Sequence, residues 1–358
     1  MSAPSEQGFS HLSGKKVLVT GGTGFVGRHL LPRLLESGAR VTCLTRAASR
    51  TEHLPGDVAV ARADLGTGHG LAAALAGQDV VIHMAALLFG LGWQDYLRAN
   101  ALAARVIVNA LAEVDAAGQG SGQGGPARFV LVSSLAASGP SDCPPGVADD
   151  VLPAPVSAYG WSKLLVEQIL GRALGDRLVT LRPPIIYGSG DRGLLPVFKG
   201  AARGFAVSPG AFREFPVSAV HARDMAQAVL LCCGAAARGV YHVNDGGLYD
   251  MSRFCRVMGE ALGRGKLCVL HLPLPLMAVT AGLASCGGLL WARLARGFTG
   301  RTPARAPNWN LDKYREARQT GWLCDASRIR RELGYAPRVS LAEGMAEAVE
   351  GYRREGWL

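Results

Sequence analysis

Thr20-Gly21-Gly22-Thr23-Gly24-Phe25-Val26-Gly27 is the stretch that decides the fold. It follows Lys16-Val17-Leu18-Val19-Thr20, a short apolar run that reads as a buried parallel strand. A helix pattern opens at about residue 25 and ends at Gly38, a C-cap glycine. The glycines at 21, 24 and 27 sit where a strand must turn into a helix. The first permits the tight turn, the second lets backbone approach a pyrophosphate, and the third lets the helix pack on the strand. The helix N-terminus then offers unpaired N–H groups and a positive dipole to an anion. A glycine triplet in this context predicts a dinucleotide site comprising Gly21, Thr23, Gly24, Phe25, Val26 and Gly27.

Outward from that turn, residues 40–45, 58–63, 79–83 and 128–133 read as strands two to five. Helices are expected at 93–114 and 158–174, a further strand at 178–181, and a late return to the sheet at 240–243. Strand–helix alternation at this spacing predicts an α/β fold with a Rossmann-type, doubly wound parallel sheet. The predicted division is a dinucleotide-binding domain over 12–182 with a return segment near 221–245. A smaller mixed C-terminal substrate lobe takes 183–220 and 246–358. The glycine-rich run 118–125 and the Pro/Asp-rich run 140–155 read as loops.

Composition bounds the rest. The chain has 358 residues, 49% hydrophobic and 18% charged, with a formal net charge of +10. No Cys/His zinc spacing, RNP-like aromatic motif or basic helical run accompanies that charge, so nucleic acid is not expected as a partner, and no metal site is expected. Attraction to an anionic cofactor or membrane surface, or diffuse solubilising charge, are the readings left. The eight cysteines include no C-x-x-C, and Cys232 and Cys233 fall in an apolar helix-like run, as buried reduced thiols of a cytoplasmic protein would. Residues 1–16 contain no apolar core of a secretory signal.

The segment 272–292 (LPLPLMAVTAGLASCGGLLWA) carries no charge and is about one bilayer span long. Pro273 and Pro275 begin it, Gly282, Gly287 and Gly288 interrupt it, and Arg293 and Arg296 follow. It reads as a helix buried over a hydrophobic substrate pocket, as a helix dipping into a membrane interface, or as a true span.

Tyr159-Gly160-Trp161-Ser162-Lys163 places Tyr159 and Lys163 four apart on one helix face. A free phenol, with a pKa near ~10, is too weak a base at neutral pH. A neighbouring ammonium favours the phenolate, and Tyr159 can then exchange a proton with an alcohol or ketone oxygen as hydride moves. Val132-Ser133-Ser134 ends strand five at its carboxyl edge, where ligands bind in open sheets. Ser134 is placed to hydrogen-bond the reacting oxygen. At the end of strand two stand Thr45 and Arg46, then Arg50, with Arg28 just beyond the glycines. Arginine where an acid would grip a ribose diol favours NADP(H), with NAD(H) as the alternative. Asp64 and Leu65, after strand three, fall at the adenine edge.

Together these motifs resemble the extended short-chain dehydrogenase/reductases. Carrying the resemblance are T-G-G-T-G-F-V-G, V-I-H-M-A-A at 81–86, V-S-S at 132–134, Y-G-W-S-K, and L-R-P-P-I-I-Y-G at 181–188. It implies cofactor contacts at Ala85, Ser133, Pro183, Ile185 and Ile186, besides Tyr159 and Lys163. It also implies a supporting catalytic role for Asn100, and a homodimer. V-S-S-L-A-A-S-G-P at 132–140 and the apolar segment look like the branch of 3β-hydroxysteroid and sterol-4-carboxylate dehydrogenases, which implies an alcohol–ketone interconversion on a lipophilic, steroid-, polyketide- or fatty-acyl-like substrate and a peripheral membrane contact. The rival is a nucleotide-sugar epimerase or dehydratase with tightly bound NAD. Such enzymes commonly carry an arginine about four residues before the histidine of a V-H-x-x-D-like motif. Here the motif is Val220-His221-Ala222-Arg223-Asp224, and Val217 holds that position, with Arg213 out of register. A dinucleotide-binding sensor is a third class, and members of it often lack the Tyr–Lys pair.

Overall fold

Strand β1 (Lys16–Thr20) is apolar on both faces because it lies in the middle of a parallel sheet. The computed structural model describes residues 9–118, 124–211, 213–299 and 306–358; of the glycine-rich loop expected at 118–125, residues 119–123 lie outside them. After β1 come α1 (Phe25–Glu36), β2 (Arg40–Thr45), β3 (Ala59–Arg62), α2 (Leu71–Leu75) and β4 (Val80–His83). Next are α3 (Trp93–Tyr96), α4 (Ala103–Gly118), β5 (Arg128–Val132), α5 (Leu135–Ser138), α6 (Ala158–Leu174) and β6 (Leu178–Arg182). Elements of the second lobe follow: β7 (Ile185–Tyr187), α7 (Leu195–Ala202), β8 (Phe205–Pro209), β9 (Pro216–Val217) and β10 (Ala219–His221). The chain then runs through α8 (Ala222–Cys232), β11 (Gly239–His242), β12 (Tyr249–Asp250), α9 (Met251–Ala261) and β13 (Cys268–Leu272). It ends with α10 (Leu274–Thr299), α11 (Leu311–Ala317), α12 (Ser327–Leu333) and α13 (Leu341–Arg354).

The main sheet has seven strands in the order β11-β6-β5-β4-β1-β2-β3, every pair parallel. The chain starts in the middle and winds outward in both directions, so β1 and β4 flank the switch point where ligands bind in such sheets. Strand periodicity divides the core. Val17, Val19, Val41, Cys43, Ile82, Val130 and Leu181 face α1 and α8 on one side. Leu18, Leu44, Val81, Phe129 and Leu131 face α2, α4 and α6 on the other. A separate cluster built on Tyr187, Phe198, Phe254, Met345 and Tyr352 is the core of the second lobe. Among the described residues, that lobe holds the two-stranded sheets β10-β7, β12-β9 and β13-β8.

Three expectations need correction. The helix expected at 93–114 is not uniform: residues Leu97–Leu102 form a π-helical turn between α3 and α4. Gly118, expected in a loop, is the buried last residue of α4. The apolar segment forms one long helix from Leu274 that lines an open cleft but is mostly exposed rather than buried: 11% of the most apolar stretch within Leu274–Ala295 is buried. Met277, Ala281 and Ala292 face the protein, whereas Val279, Leu283, Leu290 and Trp291 face outward. Its glycines do not break it. Gly288 admits Pro307, whose Cδ would lie 2.9 Å from an added Cβ, so the helix packs on the returning chain. By length and composition α10 is apolar enough to cross a membrane.

Candidate active site

The phosphate turn is built as its glycines require. Gly21 has φ +75°, and a Cβ there would stand 2.7 Å from the Ala85 backbone nitrogen. That close approach joins the ends of β1 and β4, and the Ala85 N–H donates to Thr20 Oγ1 at 3.3 Å. A Cβ on Gly27 would meet the Gly22 carbonyl oxygen at 2.1 Å, so α1 can pack here only without a side chain. Gly24 is the N-cap of α1 and brings no side-chain cap. The first-turn N–H groups, those of Phe25 and Val26 among them, are therefore left for an anion, and the residues present fit the pyrophosphate of a dinucleotide. The Thr23 carbonyl is 3.3 Å from His53 Nε2.

At the adenosine end, Arg46 and Arg50 are exposed just beyond β2. Arg62 donates to the Arg46 and Ser49 carbonyls at 2.8 and 3.1 Å, which folds that loop back over β3. Arg28 faces the other way and pairs with Glu355 at 2.5 Å. Asp64 uses one carboxylate oxygen to accept from the Gly66 and Thr67 N–H groups at 2.6 and 3.1 Å, shaping its own turn; Leu65 beside it is half-buried.

Tyr159 and Lys163 lie on α6, whose N-cap Ser157 accepts from Gly160 N–H. Ser134 lies beside the Tyr159 phenol, and burial pushes the phenol's pKa up. Ser134 is itself the N-cap of α5, accepting from Ala136 N–H at 3.2 Å, so its hydroxyl is fixed at the sheet edge. Lys163 is 3% exposed and donates to the Val132 carbonyl at 2.8 Å. Burial lowers its pKa to about 8. His83, at the end of β4, accepts or donates at 2.7 Å to Thr20 Oγ1. Burial and the nearby Lys163 lower its pKa to about 3, so it is a neutral imidazole.

Asn100, on the π-helical turn, is 3% exposed. It accepts from Leu87 N–H at 2.8 Å and donates to the Leu87 carbonyl at 3.2 Å and to Ser162 Oγ at 2.9 Å. Ser162 in turn donates to the Tyr159 carbonyl at 2.7 Å. Asn100 thus ties the 87–91 loop to α6. Ser133 points elsewhere: its hydroxyl donates to Glu167 in a buried network. There Arg182 grips Glu167 at 2.6 Å and Ser138 at 3.1 Å, and His242 bridges Ser138 and Asp149 at 2.7 and 2.6 Å. This network pins β5, β6 and β11 beneath the site. Pro183 accepts from Leu135 N–H at 2.8 Å, and half-buried Ile185 and Ile186 lie in β7 on the way to the second lobe.

Sequence reasoning missed α11 altogether. Asp312 accepts from the Ala158 and Tyr159 N–H groups at 2.6 and 3.1 Å, capping α6 from a distance of 154 residues. Glu316 accepts from Ser157 Oγ at 2.7 Å, and Lys313 Nζ lies 4.6 Å from the centroid of the Tyr159 ring. Asn310 caps α11 and donates to the Gly90 carbonyl at 3.4 Å. Beside this loop an open apolar cleft of about 420 Å³ is lined by Leu91, Gly288, Trp291, Ala306 and Pro307. Arg213, the arginine nearest the diphosphate-gripping position, donates instead to the Ala317 and Gln319 carbonyls at 3.3 and 2.7 Å, and Val217 is buried in β9.

A model of the NAD dependent epimerase/dehydratase family matches residues 17–244, from β1 to the end of β11. The chain belongs to that family. Its extended short-chain dehydrogenase/reductase character, expected from the motifs, is thereby shown. Among curated relatives, a ceramide reductase of Caulobacter vibrioides is 30% identical, over 96% of both chains. A 3-beta-hydroxysteroid dehydrogenase of Mycolicibacterium neoaurum is 28% identical, over 94% of this chain and 90% of its own. The family member also shares its fold with the UDP-glucose 4-epimerase of Thermotoga maritima: TM-score 0.70, 20% identity, 95% of this chain and 99% of the epimerase.

Proposed function

We propose that this family member is an NADPH-dependent reductase of a lipophilic ketone, working through Tyr159. The observation that carries the reading is the apolar cleft between α10 and the 87–91 loop, the loop that Asn100 ties to α6, the helix that bears Tyr159. A lipophilic substrate has an apolar wall to lie on there, and the outward face of α10 offers it a route from a membrane surface. Curated relatives act, by name, on a ceramide and a hydroxysteroid. The exposed Arg46 and Arg50 suit a 2′-phosphate.

When bound, the reduced nicotinamide supplies the hydride that adds to the carbonyl carbon. Tyr159 gives its phenolic proton to the carbonyl oxygen, so hydride plus proton convert ketone to secondary alcohol. Ser134 donates to the same oxygen and stabilises charge that develops on it. Lys163 holds positive charge behind the resulting phenolate and takes part in returning a proton to it. The reverse oxidation uses the same groups with the proton moving to Tyr159.

A nucleotide-sugar reaction is the second reading, since solved structures with this fold include UDP-sugar epimerases. Against it, Arg213 is committed to backbone carbonyls and Val217 occupies the position of a diphosphate-binding arginine. The deciding experiment is NADPH oxidation by the purified protein with long-chain and steroid ketones, in parallel with Tyr159→Phe. Turnover by the wild type and none by the variant, with NADPH fluorescence still reporting binding to both, is the expected result. Undiminished turnover by Tyr159→Phe refutes the mechanism, and tightly held, non-exchanging NAD+ released only on denaturation points to the sugar reaction.

A further inference from the structure

We propose that Lys313, brought in by α11 from the second lobe, sets the ionisation of the Tyr159 phenol, so the acid/base group is complete only when α11 is docked on α6. The inference rests on the reading of Tyr159 as acid/base. Lys313 is a positioning residue in this sense: it acts through the tyrosine.

The geometry is that of a cation held over an aromatic face. Lys313 Nζ lies 4.6 Å from the Tyr159 ring centroid and 5.7 Å from that of Phe89. It is fixed there by Glu316, at 2.8 Å. A phenolate ring is richer in π density than a phenol ring and carries net charge, so a cation in this place favours the phenolate. Lys163, by contrast, directs its ammonium to the Val132 carbonyl. The groups facing the Tyr159 ring are Ser134 from the start of α5, Tyr96 from α3 at a ring separation of 6.0 Å, and Lys313 and Glu316 from α11, while Asp312 holds the Tyr159 backbone N–H. Burial raises the phenol, Lys313 is the strongest influence pulling it back, and Glu316 opposes Lys313 weakly. Tyr159 and Tyr96 in turn help hold Lys313 charged.

Docking and charge are linked because the same short helix supplies both. Asp312 holds the first N–H groups of α6, Glu316 holds Ser157, and Lys313 lies between them in sequence. A purely structural lysine would anchor α11 through Glu316 and leave the phenol's titration where it was.

The test is a pH titration of isotopically labelled tyrosine Cζ, with the Tyr159 resonance assigned by its loss in Tyr159→Phe. It is run on the full chain, without cofactor and with saturating NADP+. In Lys313→Met the midpoint should rise by about one pH unit or more, and Lys313→Arg should stay near the wild type. Lys313→Gln removes the same charge with a polar side chain and should raise the midpoint likewise, which keeps the test decisive if Lys313→Met folds poorly. Midpoints that do not move in Lys313→Met and Lys313→Gln overturn the proposal. If no ketone is reduced by the wild type, the acid/base reading fails on its own, while the titration still decides whether Lys313 controls the phenol.

Discussion

Replacing Lys163 by methionine should make the cofactor-free protein more stable at neutral pH and catalytically dead. The lysine is 3% exposed, and burial lowers its pKa from the ordinary 10.5 to about 8. A shift of this size, at 1.36 kcal/mol per unit, means that keeping the ammonium buried at pH 7 costs about 3 kcal/mol. Methionine removes that cost but also the hydrogen bond to Val132, about 1 kcal/mol, leaving a net gain of about 2 kcal/mol. For a chain of 358 residues, an unfolding entropy of about 2.1 cal/mol/K per residue turns this into a Tm about 3 °C higher. The pH dependence separates this cause from better packing. Between pH 8 and 10.5 the unfolded wild type binds a proton that the folded state lacks, so its stability rises with pH relative to the variant. Above that window the charge penalty is gone and the variant should be the weaker by about 1 kcal/mol, the lost hydrogen bond. Differential scanning calorimetry of both proteins from pH 7 to above the unfolded pKa reads the difference directly. A Tm difference constant across the window, or a variant less stable at pH 7, refutes the reasoning.

Asp312→Asn keeps the shape but removes the charge that caps α6; it should lower stability by about 1–2 kcal/mol. It should also lower kcat more than it raises KM for NADPH, because Tyr159 N–H is one of the two capped groups; melting curves and steady-state kinetics check both halves. Arg46→Glu should lower kcat/KM for NADPH at least tenfold, about 1.4 kcal/mol, while sparing NADH; an unchanged ratio between the two cofactors removes the case for the 2′-phosphate contact.

The sheet was legible because its signals are local. A strand buried on both faces must be apolar throughout, and a helix that opens on a pyrophosphate must have glycine at Gly21, where φ is +75°, and at Gly27, where a Cβ meets Gly22. Tyr159 and Lys163 were legible for the same reason: one helical turn fixes their shared face whatever surrounds them. Asn100 could be singled out from its motif, but the inward turn of the π-helical segment Leu97–Leu102 was not visible in a periodicity that reads as ordinary helix. The apolar run at 272–292 announced a helix, yet how much of it is covered depends on what packs against it. Pro307 and Leu91 cover one side at Gly288, and Val279, Leu283 and Leu290 are left facing out.

What the amino-acid sequence by itself determined is therefore the dinucleotide fold, its phosphate turn and the Tyr159–Lys163 pair on one helix face. Each follows from backbone sterics and from contacts within one turn or one strand. Only the tertiary structure decided what acts on that pair. Asp312 reaches Ala158 across 154 residues, Lys313 lies over the Tyr159 ring, and Ser133 turns away to Glu167. Those arrangements come from the path of the returning chain, and a charged residue on a short helix looks the same in sequence whether it faces water or a buried tyrosine.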